Sequence, residues 1–304
     1  MTFDPNYTRQ LAAAISQSNA TEQTLTSELS SGLAVTHLSD NPVAAARNVG
    51  LSSTISRLDS FVKSSTTEQS GLQAADNALG EVVSQVTSAI GLAVNAGNGT
   101  LSSADLASLQ TQVAGIRDSV LSLANSSYQG QYIFSGSQGG TQPFTLDTTT
   151  DPATVTYNGD SVVNQVETPG GQKVAANAPG SSIFTSSSGN LLSALNRLVS
   201  DIGAAAAGTG TTASIQADSS ALTAGLAAVT GQRAALDSSL SRLTTASTYA
   251  QTQATQYEAQ QSTLLSADPA TVATDLKTAE TQQQALLAVT AALDSQQDLF
   301  SYMK

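Results

Sequence analysis

Two incomplete helical seams, one near each end of the chain, constrain its folding more than any other feature. Leu11, Ile15, Ser18, Glu22, Leu25 and Leu29 advance in alternating steps of four and three. Ala279, Gln283, Leu286, Thr290, Leu293, Gln297 and Phe300 do the same. That stepping is the a/d repeat of a coiled coil. Several core positions in both stripes are polar, and a lone helix of that quality is marginal in water. Each stripe needs a partner. The two terminal helices are expected to pair, and to complete their folding on assembly with other molecules.

Composition narrows the possibilities further. Charged residues make up 11% of the 304 and aromatics 4%, so few large side chains are available for a globular core. Leu is spread along stripes, which suits an elongated helical bundle better than a sphere. A formal charge of −12, with Lys and Arg scattered singly, argues against nucleic acid as a partner. No apolar run reaches membrane-spanning length, so no membrane partner is expected. The start, MTFDPNYTRQ, lacks the charged and apolar regions of a cleaved secretory signal. There is no Cys, hence no disulfide framework and no thiolate metal site.

The sequence divides into helices, a β-rich insert, then helices. Residues 1–40 form an N-terminal coiled-coil arm and loop, its helix spanning 7–31 and stopping at Gly32. Residues 41–129 form the first part of a helical bundle. Asn41 caps a helix opened by Pro42. Phe61, Ser65, Glu68, Leu72, Ala75, Leu79, Val82, Val86, Ala89 and Ala93 then keep heptad register to the turn formers at 95–99. Ser102 or Ser103 caps a second helix with Leu106, Leu109, Val113, Ile116, Val120 and Leu123 on one face, which reads as an αα-hairpin. Residues 130–212 form the outward β-rich insert. Strands are expected at 132–134, 154–157 and 161–166, with Asn158-Gly159-Asp160 as a hairpin turn. A short helix with Leu191, Leu195, Leu198, Val199 and Ile202 follows, then a flexible linker at 203–210. Residues 213–265 form the longest seam, from Val229 through Leu236, Leu240, Leu243 and Ala250 to Leu264. Asp268-Pro269 opens the last helix, within the C-terminal segment 266–304.

Chemistry is sparse. His37 is the sole histidine, so no two-histidine metal site can form, and an ordinary exposed or packing role is its default. Ser is abundant, yet no G-x-S-x-G elbow supports a triad through His37, and Phe134-Ser135-Gly136 lacks that spacing. Asp147, Asp151, Asp160 and Glu167 gather in the insert without the Asp-x-Asp-x-Asp spacing of a calcium loop. The glycine clusters at 136–140 and 170–171 lack the Lys-Ser/Thr of a P-loop and read as turns. No catalytic residue, metal ligand or cofactor is expected, and assembly ranks well ahead of catalysis. A binding or enzymatic module carried in the insert is the reading from another class.

A resemblance sharpens this. The run from Leu29 through Ser31-Gly32 to Ser39-Asp40-Asn41-Pro42 resembles the flagellin-superfamily signature of Ser-Ser-Gly, a basic and hydrophobic stretch, then Ser/Ala-Asp-Asp-Pro-Ala. Ala34, Thr36, His37 and Leu38 replace the basic residues, and Asn41 stands for the second Asp. The stretch from Gly97 through Gly115 to Asn125 is similar to the hook-associated protein 3 family. So is Tyr132-Ile133-Phe134-Ser135-Gly136, with Pro143-Phe144 after it. That second motif separates the family from flagellin, which is the alternative within the superfamily.

The resemblance implies an extracellular structural adaptor at the hook–filament junction of the bacterial flagellum, without enzymatic activity. It implies export unfolded through the flagellar type III channel, without a cleaved signal, and an export chaperone on the C-terminal helix. The implied partners are copies of the chain itself, the preceding hook-associated protein and flagellin. Leu11, Ile15, Leu25, Leu29, Leu286, Leu293 and Phe300 are the expected subunit-packing residues.

Overall fold

The computed structural model describes the backbone of residues 5–302 except Leu38 and Ser188; the side chains of Pro5, Thr8 and residues 293–302 lie outside that description. The fold is mainly helical with a β-containing insert, as expected. In chain order α1 (Pro5–Ser31), α2 (Pro42–Ala96) and α3 (Ser103–Ala124) precede the strands. The strands are β1 (Ser127–Tyr128), β2 (Gln131–Tyr132), β3 (Phe144–Asp147), β4 (Thr154–Tyr157), β5 (Gln165–Glu167) and β6 (Lys173–Ala175). Then come α4 (Gly180–Ile183), α5 (Leu191–Ala206), α6 (Thr212–Leu265) and α7 (Pro269–Tyr302). Among the described residues no helix is long and apolar enough to cross a membrane.

The helix boundaries follow from local chemistry. Gly32 ends α1 at φ +70°, a left-handed conformation that glycine adopts without a Cβ penalty, and its N–H closes onto Glu28 O at 2.8 Å. Asn41 Oδ1 accepts the Ala44 N–H at 3.0 Å, capping α2 with Pro42 at its first position. Ser102 and Asp105 form a reciprocal capping box on α3. Asp268 Oδ1 accepts the Ala270 N–H at 3.1 Å and so caps α7. These bonds hold the Asp268 carboxyl below its usual range, the Thr271 hydroxyl first among them.

The chain divides into two compact units, Met1–Arg57 with Gln253–Lys304, and Leu58–Thr252. In the second, α2 and α6 run antiparallel. Thr244 bonds Gln69 at 3.2 Å, Arg233 bonds Asp76 at 2.8 and 3.2 Å, and Gln216 bonds Gly97 O at 3.3 Å, so one numbering falls as the other rises. Leu72, Leu79, Val82 and Val86 of α2 are buried in one cluster with Ile215, Leu222, Val229, Leu236 and Leu243 of α6. Leu109, Val113 and Val120 of α3 join it, as do Leu191, Leu192, Leu195, Leu198 and Ile202 of α5. The α3 helix packs along α5.

The insert departs from the expected strand pattern. Its strands pair as three sequence-adjacent antiparallel hairpins, β1–β2, β3–β4 and β5–β6. Asn158-Gly159-Asp160 is therefore not a turn between strands at 154–157 and 161–166. Tyr157 Oη donates to Asp160 O at 2.7 Å, folding that segment back toward the 134–137 turn, and strand structure resumes only at Gln165. The first hairpin turns at Gln129-Gly130, both at positive φ, as a two-residue turn requires. The proposed linker is also wrong at its start. Residues 203–206 are helical, and Gly203 is where the Gln110 amide of α3 lies against α5, so that a Cβ would collide with it. The break falls at Gly208, φ +77°.

Arg197 of α5 pairs with Asp218 of α6 at 3.0 Å, and the Asp218 side chain is 5% exposed. Burial pushes the Asp218 carboxyl from 3.8 up to about 6; Arg197 opposes the rise and the Asp201 carboxyl adds to it. A carboxyl raised by folding binds its proton more tightly in the folded chain. Its contribution is largest in acid and is lost as pH climbs through the folded value. Melting temperature should therefore fall between pH 4 and pH 7, by the equivalent of about 2 kcal/mol from this group. Asp218→Asn should flatten that slope in thermal melts. Leu243→Asp should unfold the second unit, because an unpaired carboxylate at a fully buried seam position costs several kcal/mol.

Candidate assembly surface and motif clusters

The family-motif residues gather at two places. In the first unit, the turn after α1 is zipped to the α6–α7 connection. Ala34 N donates to Leu265 O at 2.7 Å, Ala267 N donates to Gly32 O at 2.9 Å, and Leu33 bridges Ser266. Ser31 Oγ accepts the Leu33 N–H at 3.2 Å. Asp40 gathers the loop: its Oδ2 accepts the His37 N–H at 2.7 Å and the Thr36 N–H at 3.1 Å, while Ser39 Oγ donates to Oδ1 at 3.2 Å. The His37 N–H does most to hold the Asp40 carboxyl below its usual range. His37 itself is exposed. Ser31, Gly32, Ser39, Asp40 and Pro42 thus shape one connection; none is arranged for chemistry.

The second cluster is the core of the insert. Phe134, Ser135, Pro143 and Phe144 are buried. The rings of Phe134 and Phe184 meet edge to face at 5.4 Å, Phe144 meets Phe184 in the same way at 5.4 Å, and Phe144 lies 5.0 Å from Tyr157. Such pairs add about 0.5–1.5 kcal/mol beyond area burial. Phe134 O accepts both Tyr157 Oη at 3.0 Å and Gly180 N at 2.8 Å. Gly136 sits at φ +75°, where a Cβ would strike Asp160. Asp160 in turn caps that turn by accepting Ser137 N at 2.8 Å and Val162 N at 3.1 Å, and the Ser137 hydroxyl holds its carboxyl low. Tyr132, half-buried, donates its N–H to Gly139 O at 2.8 Å.

Sequence reasoning missed two members of this cluster. Phe184 had no periodic neighbour to mark it. Asn125 closes the family-like stretch that begins at Gly97, but no local pattern marks what its side chain does; its amide pairs with the Phe144 backbone through Phe144 N to Oδ1 at 2.8 Å and Nδ2 to Phe144 O at 2.9 Å. It clamps the end of α3 to β3 as a strand would. The acidic residues of the insert do not converge: Asp147 accepts from Thr149 N at 2.9 Å in its own turn, and among the described residues no three His, Cys, Asp or Glu form a metal-holding group.

The expected subunit-packing residues lie on α1 and α7, which pack on each other, with Gln283 donating to Asn19. Leu11, Ile15, Leu25 and Leu286 are only half-buried, and Leu29 is 42% exposed. Leu293 and Phe300 fall outside the described side chains. On α7, Val272 and Ala279 are buried, whereas Leu287 and Val289 are exposed. Among its described residues α1 has none buried. The Ser18 hydroxyl is shielded at a core position without a partner.

Two family models match the chain: the bacterial flagellin N-terminal helical region over residues 6–139 and the bacterial flagellin C-terminal helical region over residues 219–303. Together they take in most of the helical sequence, and the chain belongs to the flagellin superfamily of helical flagellar proteins. Within it the similarity runs to hook-associated protein 3. The chain is 34% identical over 184 residues to flagellar hook-associated protein 3 of Salmonella typhimurium, covering 60% of this chain and 56% of that one. It thus matches little more than half the length of that relative. Its fold is that of hook-associated protein 3 from Legionella pneumophila (TM-score 0.62, 15% identity, 70% of this chain and 98% of that one). It also matches the flagellar junction protein FlgL from the same organism (TM-score 0.54, 16% identity, 63% and 97%).

If the Tyr-x-Phe-Ser-Gly and Pro-Phe residues are a structural core, their loss should appear as instability. Phe144→Ala should cost about 3–5 kcal/mol. Gly136→Ala should cost about 1–3 kcal/mol through its backbone conformation and the collision with Asp160. Denaturant melts would measure both, and Thr141→Ala, exposed just after the turn, should be neutral.

Proposed function

We propose that this chain is a structural adaptor at the hook–filament junction of the bacterial flagellum. It joins a preceding hook-associated protein to flagellin by coiled-coil packing of α1 and α7 with the same helices of neighbouring copies. The observation that carries the reading is the α1–α7 pair. Among its described residues α1 buries none within one chain, although its a/d stripe of Leu and Ile is the type that buries in a coiled coil. A stripe left half-covered in one copy is completed by another. The names of the relatives, hook-associated protein 3 and flagellar junction protein, support the same role. Nothing in the role requires catalysis.

In this reading residues 1–40 and 266–304 are the assembling arms, residues 41–129 and 213–265 build the bundle, and residues 130–212 face outward. Leu11, Ile15, Leu25, Leu29, Leu286, Leu293 and Phe300 form the packing face between copies. The chain reaches its extracellular position by type III export. A chaperone covers the C-terminal helix until then.

Cells lacking the protein should build hooks, fail to retain filaments and release flagellin into the medium. Removing residues 286–304 should reproduce that phenotype. Each buried Leu contributes about 1.5–3 kcal/mol, and every copy would lose the stripe. Motile cells with attached filaments after the truncation would refute the assignment. Immunolabelling of intact flagella separates the junction reading from flagellin: one band at the hook–filament boundary against staining along the filament.

A further inference from the structure

Glu68 is out of place in the α2 seam. It stands in heptad register between Ser65 and Leu72, which are both buried, at a position that usually carries an apolar side chain. Burial raises its carboxyl from the ordinary value, and no hydrogen bond or neighbouring charge acts to lower it. A half-buried carboxylate without a partner is costly to keep. Its oxygens nevertheless stay open to solvent. In this they differ from the buried amide of Asn196 on α5, whose Oδ1 and Nδ2 are sealed and meet no partner.

The Glu68 side chain borders a cleft of about 360 Å³ between α2, the β1–β2 hairpin and the segment after β6. It is the sole charged residue in the lining. Leu72, Ala75 and Ala178 add apolar surface, and the half-buried Tyr128 and Tyr132 add aromatic surface. Two other polar side chains of the lining are already engaged. The Ser137 hydroxyl donates to Asp160, and the Asn177 amide donates to Gly136 O and Val162 O while accepting the Asn164 N–H.

These residues select the occupant by charge. An anion meets no Lys or Arg in the lining and is repelled by Glu68. A hard metal ion needs several oxygen ligands, usually more than one of them charged, and among the described residues no three His, Cys, Asp or Glu gather. One open carboxylate beside aromatic and apolar walls matches one positive charge on a short aliphatic stem. The carboxylate pairs with the charged head, the tyrosines attract a cation, and the apolar lining covers the stem. The volume lies at the lower end of the range for small-ligand sites.

We infer that this cleft binds an organic cation, an alkylammonium or alkylguanidinium group, with Glu68 as its counter-ion. Two sources carry that group: a free amine or guanidine, and a Lys or Arg side chain of a neighbouring protein. The site is separate from the α1 and α7 faces and does not rest on the junction role.

The test uses the full chain at about 0.15 M salt, where exposed charges are largely screened. The probes are n-butylammonium, n-butylguanidinium and the acetyl and methylamide capped forms of lysine and arginine, with n-butanol, butyrate and calcium chloride as controls. Each is titrated by saturation-transfer NMR and calorimetry. At least one organic cation should bind saturably and in preference to all three controls. Glu68→Gln and Glu68→Leu should each weaken it about tenfold or more, as expected for loss of a charge-assisted contact. The chain carries a net charge of −12, so Glu81→Gln, which removes the same charge from an exposed site on α2 outside the lining, should leave binding unchanged. Thermal melts check the variants, and Glu68→Gln should melt no lower than the parent. Binding of the capped residues would assign the occupant to a protein side chain, and binding of the free stems alone would assign a free amine or guanidine; both support the inference. No saturable binding of any organic cation would overturn it, as would calcium binding in their place or an equal effect of the Glu68 and Glu81 variants. A marked loss of stability in both Glu68 variants would show the carboxylate to be already partnered within the fold, and would overturn it too.

Discussion

Arg233 reaches from α6 to Asp76 on α2 in the middle of a largely apolar seam. The pair is bidentate and partly shielded, with side chains 33% and 13% exposed. Around it, Leu72, Leu79, Val82 and Val86 lie in the same buried cluster as Val229, Leu236 and Leu243. The apolar seam supplies the driving force, and the ion pair, with Gln69 to Thr244 on one side and Gln216 to Gly97 on the other, marks a single antiparallel register. A heptad repeat alone tolerates slippage by whole repeats, and polar pairs at specific heights are the usual remedy. The α3–α5 layer and the insert are built onto this frame.

The insert is small for its strand content. Three two-stranded hairpins cannot support themselves, since an isolated hairpin is at best marginally stable in water. Phe134, Phe144, Phe184 and Tyr157 form an aromatic core at β3–β4, Arg242 of α6 donates to Lys173 O of β6 at 3.2 Å, and Asn125 ties β3 to α3. This explains why the motif carries Phe-Ser-Gly and Pro-Phe. The rings fill the centre, Gly136 makes the turn a side chain would block, and Asp160 caps it. The motif is a packing solution, with no exposed reactive group at its centre.

The first unit has the opposite character. Among its described residues the buried apolar ones, Ala44, Ile55, Ala254, Val272 and Ala279, are few and mostly small. The connection at residues 32–34 and 265–267 is closed by backbone hydrogen bonds, while the long helices α1 and α7 leave Leu29, Leu287 and Val289 open to solvent. Such a pair has its geometry defined at one end and its hydrophobic burial unfinished along the rest. An apolar stripe left open in this way accords with the assembly role proposed above and with membership of the flagellin superfamily.

Much of this was legible in the residues themselves. The 3.5-residue repeat, Asn41-Pro42, Ser102 with Asp105, Asp268-Pro269 and Gly32 act over one or two helical turns, so local order alone predicted the long helices and their ends. The pairing of α1 with α7 followed because neither stripe had another partner. Strand pairing did not follow. Whether residues 154–157 pair forward or backward depends on Tyr157 packing on Phe144, a contact between side chains 13 positions apart. Gly203 reads as a linker residue in sequence and becomes a helix-packing residue only because Gln110 occupies the space beside it. Asp218 and Asn196 look like ordinary polar positions on helices. Their burial, and the raised proton affinity of the first and the unpartnered amide of the second, were decided by which helix packs on which, a long-range outcome that no local pattern encodes.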